Sequence, residues 1–154
     1  MTDTVNVLLR VRYAECDAQQ VVFNSRYAEY ADLAATEYMR ALVGGYTELV
    51  KQGYDNQLVN MNISWQSPAK FDDVLNLATH VTHVGNTSFN LNIEITEYNT
   101  KRAIAIIDIV YVMVDATTLA KTPIPNALKE RLLTGPESQV IDLAGIRDIQ
   151  AKDN

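Results

Sequence analysis

Apolar and polar residues alternate at the start of the chain, with Val5, Val7, Leu9, Val11 and Tyr13 on one parity and Asn6, Arg10 and Arg12 on the other. A period of two marks a half-buried strand. The period then lengthens. From Gln20 to Val43 there is neither glycine nor proline, and Tyr27, Ala31, Ala34, Tyr38 and Leu42 recur at helical spacing, which predicts one long amphipathic helix. Arg26, Glu29, Asp32, Glu37 and Arg40 fall largely on its other faces, where a solvated role explains them. Gly44-Gly45 ends the helix, and Tyr46 to Gln52 adds a short helical turn before Gly53.

The remainder reads mostly as strand. Leu58 to Trp65 carries Val59, Met61, Ile63 and Trp65 on one face, and Val74 to Val84 follows the Ser67-Pro68-Ala69 break. Thr87 to Glu97 alternates through Phe89, Leu91, Ile93 and Ile95 after a Gly85-Asn86 turn signal. Ala103 to Val114 is apolar on both parities apart from Asp108, which predicts a strand near the sheet centre covered on both faces. Pro123 and Pro125 stop it, Asn126 is placed to cap a last short helix through Leu133, and Gly135-Pro136 closes that helix. The tail from Glu137 to Asn154 has little pattern and is expected to be partly ordered at best, which leaves an ordered core of about 5–133 in one domain of 1–154. Strand, long helix and four consecutive strands do not alternate as a doubly wound parallel sheet requires. The expected class is α+β, an antiparallel five-stranded sheet wrapped around one long helix.

Composition narrows the choice of partners. With 47% apolar and 21% charged residues among 154, the chain has the balance of one self-sufficient globular domain. Thirteen basic against 19 acidic residues give net −6, which argues against nucleic acid as a partner. One cysteine, Cys16, and two histidines, His80 and His83, exclude a disulfide framework and a closed zinc site, so no metal is expected. The two histidines are three apart on a predicted strand, which should point them to opposite faces. Cys16 has no histidine placed by sequence to activate it and is read as a packing residue, and Asp108 needs a partner if buried. The N-terminus shows no basic-then-apolar leader and no stretch approaches the ~18 apolar residues of a membrane span, so the expectation is a cytoplasmic protein with no membrane partner.

The chemistry-bearing stretch is Asp17-Ala18-Gln19-Gln20-Val21-Val22-Phe23-Asn24-Ser25-Arg26-Tyr27, set between the first strand and the helix. It resembles the 4-hydroxybenzoyl-CoA thioesterase family, which has an aspartate here, then small residues, two aliphatics, an aromatic, a polar residue and a tyrosine; Asp17, Val21, Val22, Phe23 and Tyr27 match. The helix residues Tyr30-Ala31-Asp32 and Ala34 to Arg40, the Trp65-Gln66-Ser67-Pro68-Ala69 break with Asp73, and Pro123-Ile124-Pro125 extend the likeness over about residues 5–133. The resemblance implies a hotdog fold, hydrolysis of acyl-coenzyme A to free acid and CoA, a homodimer or homotetramer with sites between subunits, and no cofactor beyond the CoA of the substrate. Asn24 and Gln19-Gln20 depart from the family's usual histidine or tyrosine and its small pair.

Elementary chemistry agrees with the implied site. Backbone N–H groups at a helix start lack intrahelical acceptors and carry partial positive charge. A thioester carbonyl directed at the Asn24 N–H would be polarised there, and Asp17, ionised at neutral pH with a reference pKa of ~3.9, would attack the carbon or activate a water. Asp17 and Asn24 are therefore the candidate catalytic residues, and Phe23 and Tyr27 the candidates for substrate binding, although aromatics at this spacing also serve as core. Asp32, Glu29 and Glu37 are the runners-up for the working carboxylate. Arg26, Lys70, Lys101, Arg102 and Lys121 are the cations available to CoA phosphates. The alternatives are a thioesterase for acyl carrier protein, which an enzyme of net −6 would dock less readily, and a non-catalytic hotdog protein that binds acyl ligands or serves assembly.

Overall fold

The first helix is built by its apolar stripe. Tyr27, Tyr30, Ala31, Ala34, Ala35, Tyr38, Met39 and Leu42 are its buried residues, at steps of three and four that keep them on one side of the cylinder. In the computed structural model, which describes residues 3–146, this helix is α1, Arg26–Val43. It ends at Gly44, whose left-handed φ of 88° lets its N–H reach back to the Arg40 carbonyl. Before it comes β1 (Val5–Arg10), and after it α2 (Tyr46–Lys51), β2 (Tyr54–Trp65), β3 (Val74–Val84), β4 (Ser88–Glu97), β5 (Ala103–Asp115), α3 (Asn126–Thr134) and β6 (Gln139–Asp142). No helix among the described residues is long and apolar enough to cross a membrane.

The strands form one sheet in the order β2-β5-β4-β3-β1-β6. Its neighbours are antiparallel except β1 and β6. Register carries the apolar parity across: Ile63 faces Ile107, Ile107 faces Ile93, Ile93 faces Thr79 and Thr79 faces Val5, so one face of the sheet meets the helix. Val5, Val7, Leu75, Leu77, Leu91, Ile93, Ile107 and Ile109 are buried there with the helix stripe in one cluster. Each such side chain removed from water contributes about 1.5–3 kcal/mol. A long helix laid on a mainly antiparallel sheet is the hotdog arrangement. The chief partners of α1 in that sheet are β1, β3 and β4, while the short α2 packs on β2.

Five expectations are corrected here. The sheet has six strands, because Gln139–Asp142, expected to lie in a weakly ordered tail, adds in parallel beside β1; residues 147–154 lie outside the described part. The helix begins at Arg26 and not Gln20, since Gln20 has a left-handed φ of 63° and the N–H groups of Asp17 and Val22 are committed to the Val21 and Ala69 carbonyls. Strand β5 is interior, but its outward residues Ile106, Val110 and Val112 are half-exposed and Asp108 is exposed, bonded to Asn92 Nδ2 at 2.9 Å. Asn126 is the first helical residue of α3, with Pro125 at the cap position. Lastly, register shifts move two parities: Leu58 instead of Val59 shares the inner face of β2, and His80 and His83, paired with Asn92 and Asn90, share the outer face of β3. Among the described residues no group of three or more potential ligands surrounds them to hold a metal.

Two buried tyrosines of α1 differ in a testable way. The Tyr27 hydroxyl accepts the Ala69 N–H at 3.2 Å, whereas the Tyr38 hydroxyl has no hydrogen-bond partner among the described residues and its phenol is pushed up to about 12 by burial. Tyr27→Phe should therefore cost about 1–3 kcal/mol by orphaning a buried amide, and Tyr38→Phe should cost nothing. Urea unfolding of the two variants checks the contrast.

Candidate active site

Between β1 and α1 the chain makes a 3-10 turn at Tyr13–Glu15 and then a reversal closed by Asp17 N–H to Val21 O at 2.9 Å and Gln20 N–H to Asp17 O at 2.9 Å. Asp17 sits half-buried in this reversal. One carboxylate oxygen accepts the Gln19 N–H at 2.8 Å, an Asx-type turn contact, and the other has no partner among the described residues. The side chain faces a cleft of about 480 Å³ with Tyr13, Cys16, Gln20 and Phe71. The Cys16 thiol is raised above its ordinary pKa by burial and then by the Glu15 and Asp17 charges, which agrees with a packing role.

The reversal is held from beneath by Glu15. This carboxylate is only 5% exposed and accepts the Arg12 N–H at 2.8 Å and Arg12 Nη2 at 3.1 Å, while its backbone carbonyl accepts the Phe23 N–H at 2.9 Å. Burial pushes the Glu15 carboxyl up, but the Arg12 hydrogen bonds outweigh it and leave its pKa below the usual value. Glu97 behaves alike, burial being outweighed by bonds from the hydroxyl and N–H of Thr100 and the N–H of Asn99. Folded values that are depressed contribute stability above the unfolded value of about 4.3 and lose it as pH falls through the lower folded values. The melting temperature should therefore drop below about pH 4.3, and the drop should be shallower in Glu15→Gln, which thermal melts across an acid series measure.

At the entrance to α1, Arg26 N–H is bonded to Phe23 O and Tyr27 N–H to Asn24 O, whereas the N–H groups of Asn24 and Ser25 find no acceptor among the described residues. They are free donors at the positive end of an 18-residue helix. Asn24 lines a second cleft, of about 310 Å³, whose walls include Val21, Val22, Tyr27, Trp65 and Pro68. Tyr27, 1% exposed, is fixed by its bond to Ala69, and the Trp65 ring stands edge-on to it at 6.0 Å and 88°. Asp17 and Asn24 thus flank one loop but open on different clefts of the single chain. Phe23, 52% exposed, lines neither.

The other candidates separate clearly. Glu29 is paired with Arg26 at 2.9 Å and Glu37 with Arg40, while the carboxylate of Asp32 accepts no hydrogen bond among the described residues and borders a third cleft with Thr36 and Tyr111. The Tyr111 phenol is pushed up to about 12, by burial first and then by the Asp32 charge. Of the five cations, Arg26 is held by Glu29, Arg102 by Ser67, Pro68 O and Asp73, and Lys101 by Tyr98. Lys70 and Lys121 carry no ion pair among the described residues, and Lys70 bridges Val21 through its backbone, beside the Asp17 reversal. Sequence reasoning gave Trp65 no site role; the only signal was a tryptophan closing an alternating strand just before a proline-alanine break.

Comparison with known proteins assigns the family. The chain is 26% identical over 83 residues to a putative esterase of Aquifex aeolicus, covering 54% of this chain and 65% of that protein. It is 35% identical over 77 residues to the acyl-CoA thioesterase YbgC of Haemophilus influenzae, covering 49% of this chain and 57% of the relative. The alignments thus span less than two thirds of these relatives. Among solved structures, Slr0204, a 1,4-dihydroxy-2-naphthoyl-CoA thioesterase from Synechocystis, superposes with a TM-score of 0.76 at 18% identity, over 84% of this chain and 96% of that one, which is a likeness of fold. The profile of the Thioesterase superfamily matches residues 19–104, a segment that begins two residues after Asp17 and contains Asn24, Tyr27 and Trp65. That match covers more than half of the sequence, and the chain belongs to the Thioesterase superfamily.

Proposed function

We propose that this protein hydrolyses acyl-coenzyme A thioesters, with Asp17 as its working carboxylate and the N–H groups of Asn24 and Ser25 as donors to the carbonyl oxygen. The observation that carries the reading is the pair of unsatisfied amides at the start of α1 and, on the other side of one short loop, a carboxylate with a free oxygen, so that the carbonyl must lie across that loop to meet both. Donors already in place stabilise the oxygen as it gains charge in the tetrahedral intermediate. Asp17 then acts in one of two ways. It adds to the carbonyl carbon and expels the thiolate, leaving an anhydride that water cleaves, or it takes a proton from a water whose oxygen forms the new C–O bond as the C–S bond breaks. Either way the products are a free acid and CoA, whose sulfur ends protonated in solution or as thiolate. Neither route draws on a resident metal or redox group.

The working unit in this reading is a homodimer or a dimer of dimers. Strand β2 is twelve residues long and forms an open edge of the sheet, with Leu58, Val59 and Trp65 exposed. Long apolar edges pair with other chains unless covered. A second copy seated along β2 would also wall the Asn24 cleft, which Trp65 borders. Lys70, which carries no ion pair among the described residues and lies beside the Asp17 reversal, is the cation assigned to CoA phosphate. Thiol release from a panel of short, long and aromatic acyl-CoAs tests the activity: turnover of at least one member is expected, and none across the panel would sink the reading.

A further inference from the structure

We propose that Trp65 sets the upper limit on acyl length by closing the Asn24 cleft against an apolar strip that continues along β2; this rests on the thioesterase reading above. The thioester carbonyl sits at the free amides of Asn24 and Ser25, so the acyl group begins where Asn24 opens on its cleft. Val21, Val22, Tyr27, Trp65 and Pro68 wall it together with Gln66 and Ser67, whereas the cleft on the other side of the loop sets the Asp17 carboxylate and the Gln20 amide beside Tyr13 and Phe71. Apolar walls favour the acyl arm over the polar CoA arm.

Trp65 stands at a junction. Register places Trp65, Ile63, Met61 and Leu58 opposite Ala105, Ile107, Ile109 and Tyr111, all on the inner face. Of these four β2 side chains Leu58 and Trp65 are exposed and Met61 and Ile63 are only partly buried, because α1 packs chiefly on the far strands β1, β3 and β4. They form an apolar floor leading from the Asn24 cleft toward the third cleft, which Leu58 borders with Met39 and Leu49. Tyr27 is fixed by its bond to Ala69, so it keeps its side of the Asn24 cleft. The indole, edge-on to Tyr27 and 51% exposed, is the group between that cleft and the strip. Removing it would join the two and let a longer chain run over Ile63 and Met61.

The test measures kcat/KM for straight-chain acyl-CoAs from butanoyl to palmitoyl with the wild type, Trp65→Ala and Trp65→Phe. In Trp65→Ala the long-over-short ratio should rise by about tenfold or more, the scale on which apolar pockets discriminate chain length. Trp65→Phe keeps an aromatic barrier and should stay near the wild-type profile. An unchanged profile in Trp65→Ala, or an equal fall at every length, would overturn the inference while leaving thioester hydrolysis intact. A wild type inactive on every thioester would instead remove the reading beneath it. A second readout does not depend on turnover: Trp65 is the single tryptophan of the chain, so its emission should respond saturably to butyl-CoA thioether. Emission indifferent to the thioether would take Trp65 out of the acyl cleft.

Discussion

Replacing Asp17 with asparagine should lower thiol release from the best acyl-CoA substrate by about two orders of magnitude or more, as the loss of a nucleophile or general base does. The variant should remain folded. The structural bond of Asp17 is the acceptance of the Gln19 N–H at 2.8 Å, and an asparagine oxygen accepts that bond equally well. What asparagine lacks is the negative charge on the oxygen that has no partner. Asp32→Asn is the informative control, since Asp32 is the helix carboxylate that carries no ion pair. Activity that survives Asp17→Asn and collapses in Asp32→Asn would move the chemistry to α1. After a single turnover in ¹⁸O-water, label in Asp17 would establish the anhydride route, because water that cleaves the anhydride at the enzyme carbonyl leaves its oxygen there.

The sequence disclosed what depends on period and composition. The α1 stripe at Tyr27, Ala31, Ala34, Tyr38 and Leu42 and the alternation of β4 through Phe89, Leu91, Ile93 and Ile95 recur in the structure because each side chain there meets the same core. Features set by partners distant in sequence stayed hidden. Nothing in Gln20 to Ser25 forbids a helix locally; it is the Ala69 carbonyl, 47 residues after Val22, that takes the Val22 N–H. The bulges near Val59 and between Val81 and His83 move a parity by one residue, and no composition reports such a slip. Strand β6 holds its place by pairing with β1, not by a pattern of its own.

The site divides in the same way. As candidates, Asp17 and Asn24 were legible in one short segment, from resemblance and the physics of a helix start. Their separation into two clefts was not, since it depends on how Trp65 and Pro68 come against Val21 and Val22. Tyr27 shows both sides of the ambiguity: it is core by burial and site wall by position, and its hydroxyl is committed to holding Ala69. Clefts on either side of one loop, bordered by an open sheet edge, also bear on assembly.

A proline at Val59 should convert the protein from a dimer of twice 17.2 kDa into a monomer of 17.2 kDa and abolish thioester hydrolysis. Val59 is 56% exposed and has no partner in the β5 register, which passes from Leu58↔Tyr111 to Asn60↔Val110. A proline there falls at the bulge, and edge strands and bulges are where sheets tolerate proline. It does remove an amide and add bulk at the middle of the edge along which a second copy would pair. Val59→Lys places a charge at the same point without changing the backbone, and should monomerise the protein even if the proline variant fails to fold. Light scattering on eluting peaks reads the mass, and thiol release on the same fractions reads the activity. A wild type already at 17.2 kDa, or a dimer that survives both substitutions, would remove β2 from the interface. A monomer that still turns over acyl-CoA would mean that one chain closes the Asn24 cleft alone.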